Sequence, residues 1–93
     1  MDKDEAREIL SRHLAGYRSR THADLVSLLG QVDVAEIAGP SGAKYQIEVE
    51  VFWDDKTQRN LRVMAGIDDG GWRSLAPLCE SFIVAPDGSF IGE

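Results

Sequence analysis

Residues Tyr45 to Asp54 read Tyr-Gln-Ile-Glu-Val-Glu-Val-Phe-Trp-Asp, and no other stretch constrains the fold as much. Tyr45, Ile47, Val49, Val51 and Trp53 fall on one side of an extended chain, and Gln46, Glu48, Glu50, Phe52 and Asp54 on the other. Strict period-two alternation is the signature of a half-buried strand. After a polar break, Leu61-Arg-Val-Met-Ala-Gly-Ile-Asp68 repeats the pattern. An antiparallel sheet with one face in the core and one acidic face toward water is the structure that satisfies both runs.

Facing constrains how the two runs pair. Leu61, Val63, Ala65 and Ile67 must share the core side with Tyr45 to Trp53, and a one-residue slip would turn a whole strand inside out. The symmetric register sets Trp53 against Leu61, Val51 against Val63 and Val49 against Ala65, with Phe52 opposite Arg62 and Glu50 opposite Met64. A two-residue shift would oppose Glu50 to Arg62. The sequence leaves both open.

Before the sheet, the chain reads as helical. Asp2 and Glu5 have capping-pair spacing, and Asp4, Glu5 and Glu8 suit the positive end of a helix dipole. Ala6, Ile9, Leu10, His13, Leu14 and Tyr17 form one broad apolar stripe at the helical step. Continuing that helix would bury Asp24, so a break is expected near Ser19 to Thr21, with Thr21 capping a short second helix over Leu25 to Leu29 that Gly30 ends. From Gln31 to Ala38, Val32 and Val34 alternate with Asp33, and Ala35 and Ile37 follow, consistent with a first, weaker strand. Gly39-Pro-Ser-Gly42 supplies the fixed and left-handed φ angles of a turn. Glu80 to Ala85 reads as a fourth strand, and Pro86-Asp-Gly88 turns the chain into Ser89, Phe90 and Ile91, a candidate fifth.

The expected architecture is α+β, with one or two N-terminal helices packed on one face of a four- to five-stranded antiparallel meander. One domain spans residues 1–93, helical over 1–30 and sheet-forming over 31–93. The order of elements is similar to that of small cystatin-type folds, a likeness of topology that implies no activity.

Charge is unevenly placed. Residues 1–30 are balanced, and residues 31–93 carry eleven acids against five bases, the whole of the net −6. Such a surface repels phosphate backbones, so nucleic acid is not an expected partner. It attracts a basic protein, or serves solubility. No apolar run is long enough for a membrane span, and no basic-then-apolar leader opens the chain. The single cysteine, Cys79, is expected as a small buried hydrophobe in a reducing, cytoplasmic setting.

Chemistry-bearing motifs are sparse. No His-x-x-x-His, Cys-x-x-Cys or nucleophile elbow occurs, and no catalytic residue, metal site or cofactor is expected. Asp54-Asp55 and Asp68-Asp69 lack calcium-loop spacing, and Asp-Gly segments are ordinary turn chemistry. Two surfaces remain. The first is the outer sheet face of Glu48, Glu50, Phe52, Arg62 and Met64, an apolar centre ringed by acids and suited to a basic partner or a second copy. An acidic antagonist of a basic protein, in the manner of bacterial toxin-immunity proteins, is one concrete form. The second is a small-ligand pocket between helix and sheet built on His13, Tyr17 and Trp72, with Gly70-Gly71 as a hinge. His22, in the helix break, is expected to be solvated.

Overall fold

The structure is a computed structural model and describes residues 1–70 and 78–93. Two helices precede four strands: α1 (Lys3–Arg18), α2 (His22–Val26), β1 (Val32–Ala38), β2 (Lys44–Trp53), β3 (Leu61–Asp68) and β4 (Leu78–Val84). The sheet is antiparallel throughout, in the order β1-β2-β3-β4. This is the α+β architecture expected, with four strands. The C-terminal turn contributes only a single bridge between Val84 and Phe90 instead of a fifth strand.

Each helix starts where its cap allows. The Asp2 carboxylate accepts the Glu5 amide at 3.1 Å, and the Thr21 hydroxyl accepts the Asp24 amide at 3.1 Å. These bonds satisfy donors that the first turn leaves without partners. The chain leaves α2 through a turn that ends at Gly30, whose φ of 79° is left-handed. Ala6, Leu10, Leu14 and Tyr17 of α1 and Leu25 of α2 are buried against the sheet. Ile9 and His13, on the flank of that stripe, are half-buried.

Strands β2 and β3 take the symmetric register: Trp53 faces Leu61, Val51 faces Val63, Glu50 faces Met64 and Phe52 faces Arg62. The core is therefore one layer, in which Tyr45, Ile47, Val49 and Val51 of β2 pack beside Leu61, Val63, Ala65 and Ile67 of β3. Phe82 and Val84 extend it on β4. Burying this apolar surface against the helices supplies the main stabilising term.

Strand β1 turns the less apolar of its two sides inward. The register sets Ile37 against Tyr45, Ala35 against Ile47 and Asp33 against Val49, so Asp33, Ala35 and Ile37 face the core side. Val32 and Val34 face outward and are 53% and 57% exposed. A hydrogen bond makes this tolerable: the Tyr17 hydroxyl donates to the Asp33 carboxylate at 2.8 Å. Helix α1 packs over β3 and β4, which leaves the inner side of β1 at the margin of the helical layer.

Candidate functional site: the outer sheet face

On the side of the sheet away from the helices, the registers align outer residues into rows. Val32, Glu50, Met64 and Ser81 form one row, and Val34, Glu48, Gly66 and Cys79 the next. Phe52, Arg62 and Ile83 form a third. Phe52 is 37% exposed and Met64 38% exposed, so with the two valines they make an apolar band interrupted by acids. Large side chains left in water on one face mark a contact surface more often than singly scattered ones do.

The five residues expected at this face are all on it, and the structure separates their roles. Arg62 is committed internally: its Nε donates to Asp54 at 2.9 Å and its Nη1 to Ser81 at 3.0 Å. Its guanidinium therefore steadies the β2–β3 end of the sheet. Glu48 and Glu50, by contrast, are exposed, and no hydrogen bond or ion pair among the described residues engages either one. Their charges stay available to a partner. Between them and Asp68, the missing side chain of Gly66 leaves a shallow depression of about 200 Å³ floored by Met64 and Cys79.

Sequence reasoning missed three members of this face. Val32 and Val34 belong to it because of the β1 register. Cys79, expected in the core, is exposed opposite Gly66, because Leu78 takes the inward position against Ile67. The available signal was parity: once Ile37 is set against Tyr45 across the first turn, positions 32 and 34 must point outward.

The residues of the expected helix–sheet pocket are only partly together. His13 lines a groove of about 540 Å³ between α1 and β1 with Ile9, Arg12, Ile37 and Pro40. Tyr17 stands beside it, ring centroids 5.8 Å apart, but its hydroxyl is spent on Asp33. Burial, then that bond, pushes the Tyr17 phenol up to about 12. Trp72 lies outside the described residues, as do Gly71 of the expected hinge and residues 73–77. His22 is not simply solvated: its Nε2 lies 2.8 Å from the Arg59 carbonyl, and its ring is 6.4 Å from that of Trp53.

The acidic pairs do turn and pairing work. Asp55 accepts from Thr57 and from the Arg59 and Asn60 amides, which holds its carboxyl below the usual range, the Arg59 amide contributing most. Asp68 accepts the Gly70 amide at 2.8 Å, and Asp69 lies 3.7 Å from the N-terminal ammonium. Among the described residues no three His, Cys, Asp or Glu side chains converge as metal ligands. No helix there is long and apolar enough to cross a membrane.

The fold defines an α+β class, an N-terminal helix packed on a four-stranded antiparallel sheet. No family model, curated protein or solved structure matches the chain, so function is argued from the chemistry of this face.

Proposed function

We propose that this chain is a protein-interaction module that holds a basic partner against its outer sheet face. One observation carries the reading: exposed Val32, Val34, Phe52 and Met64 surround Glu48 and Glu50, two carboxylates with no partner in the described fold. Apolar contacts supply much of the energy of protein interfaces, and complementary charge sets orientation and on-rate. A partner with lysine or arginine beside aliphatic side chains satisfies both at once. The acidic excess of residues 31–93 favours such a partner over a nucleic acid. An exposed cysteine fits a reducing, cytoplasmic setting.

The test compares wild type with a Glu48→Lys, Glu50→Lys, Phe52→Ser variant as bait in native extract. Captured proteins are identified, and circular dichroism checks the bait's fold. A basic protein held by wild type, weakened by added salt and lost by the folded variant supports the proposal. Equal retention by both baits, or capture that is indifferent to salt, rejects it.

A further inference from the structure

The open edge of the sheet is β1. Gly39 donates its amide to the Ala43 carbonyl at 2.7 Å, which makes that pair a bonded one at the turn. Bonded and non-bonded pairs alternate along an antiparallel ladder. Counting back through the register, Ile37, Ala35 and Asp33 turn their main-chain groups toward β2. Val32, Val34 and Glu36 therefore aim their N–H and C=O groups outward, and no main-chain group among the described residues bonds to them. The opposite edge is partly covered, since Ile91 donates to the Ile83 carbonyl and Phe90 bridges Val84.

Sheet edges are commonly guarded by proline, lysine or a bulge. Strand β1 has no proline, lysine or bulge over its seven residues, and its one inward charge, Asp33, is held by Tyr17. It is also flanked by unfilled space on one side and by exposed apolar surface on the other. Inward, the groove of Ile9, Ile37 and Pro40 lies between the edge and α1, with Arg12 and His13 at its rim. Outward, Val32 and Val34 stand beside Glu50 and Glu48 in the register.

From these three features together we infer that the partner's contact segment is an extended peptide that adds to β1 as a fifth strand. This rests on the interaction module proposed above and specifies how its partner binds. Main-chain bonds to Val32, Val34 and Glu36 supply affinity, and alternate side chains supply specificity. Those pointing inward are aliphatic, because Ile9, Ile37 and Pro40 line the groove and Arg12 at its rim is already paired with Glu8. Those pointing outward are lysine or arginine: the stem lies over Val32 or Val34 while the cationic head reaches toward Glu36, Glu48 and Glu50. A second copy of this chain fits less well, since it brings another acidic strand, with Asp33 and Glu36, to an already acidic sheet.

The probe is a synthetic peptide alternating lysine and valine, titrated into the whole chain and followed by amide exchange and residue-resolved NMR. The expected result is slowed exchange at the Val34 and Glu36 amides, with the Ala35 amide, already bonded to β2, unchanged. N-methylating the peptide on the edge facing β1 should weaken binding at least about tenfold, the loss of a few main-chain hydrogen bonds. That control leaves the protein untouched. Val34→Pro, which removes an outward N–H the fold does not use, should do the same. Shifts confined to Glu50, Phe52 and Met64, with β1 amides unprotected, would overturn the strand addition and leave the interaction face standing. No binding at millimolar peptide would count against both. Protection of β1 without peptide, rising with protein concentration as the mass doubles, would assign the edge to a second copy and overturn the basic occupant.

Discussion

Tyr17, in the last turn of α1, donates a 2.8 Å hydrogen bond to Asp33 on the edge strand β1. The pair links the helical layer to an edge strand at its margin, and gives an inward-facing acid its partner. Tyr17→Phe should lower unfolding free energy by about 1–2 kcal/mol, since it strands a half-buried carboxylate as well as deleting the bond. Urea denaturation reads this directly. An unchanged midpoint and slope would mean that solvent satisfies Asp33 equally well.

The two buried tyrosines also set an alkaline limit. Burial and Asp33 push Tyr17 up to about 12, and the bond to Glu5, then burial, pushes Tyr45 up to about 12. An unfolded chain releases both protons near pH 10. Between those values the native state holds protons that the unfolded state has lost, so stability falls as pH rises through the window. Below it the contribution is complete. Denaturation midpoints across about pH 9 to 12 should decline, and less steeply in Tyr17→Phe.

Glu5 was legible in the sequence as a capping residue, and only half of that role survives. Its amide is capped by Asp2, but its carboxylate reaches the first sheet turn, accepting from the Ser41 hydroxyl at 2.7 Å, the Ser41 amide at 3.1 Å and the Tyr45 hydroxyl at 2.8 Å. The Ser41 and Tyr45 hydroxyls, in that order, hold its carboxyl below the usual range. Stability from this bond set is present above the ordinary carboxylate pKa and is lost as pH falls through the native one. Glu5→Gln should flatten the acid limb of the stability profile.

Gly39 belongs to the same cluster. A methyl group there would meet the Glu5 carboxylate, 2.8 Å from its Cδ, and the Tyr45 ring at 3.0 Å. Gly39→Ala should therefore destabilise by about 1–3 kcal/mol through overpacking. Its cost should shrink in a Glu5→Ala background, where the obstructing carboxylate is gone. A double-mutant cycle that is strictly additive would rule out this coupling.

The faces of β2 and β3 were legible because their alternation is unbroken, and facing reduced the hairpin to two registers. The helix break was legible because an uninterrupted helix would have buried Asp24. Strand β1 was not. Its β-branched pair, Val32 and Val34, carries the stronger strand signal, yet the inward side holds Asp33, Ala35 and Ile37. Local pattern lost to a long-range constraint: the turn at Gly39 to Ala43 sets Ile37 on Tyr45, and Tyr17 supplies the partner Asp33 needs. Cys79 misled for a related reason: parity with the inward Phe82 and Val84, not its apolar neighbours, turns Leu78 in and Cys79 out. The outer face was thus anticipated on β2 and β3, and its β1 residues followed only from the hairpin register.

If the outer apolar residues serve binding, their removal should leave the fold intact. Val34→Thr and Met64→Thr keep a strand-compatible backbone and uncover no core, so each should change unfolding free energy by within about 0.5 kcal/mol. Ile47→Ala, one strand inward and fully buried, should cost about 2–5 kcal/mol, because it deletes apolar contact and leaves a cavity between sheet and helix. Thermal or urea unfolding of the three variants measures the contrast. A loss above about 2 kcal/mol at Val34 or Met64 would place that residue in a packed layer, and its exposure could no longer be read as a surface kept for a partner.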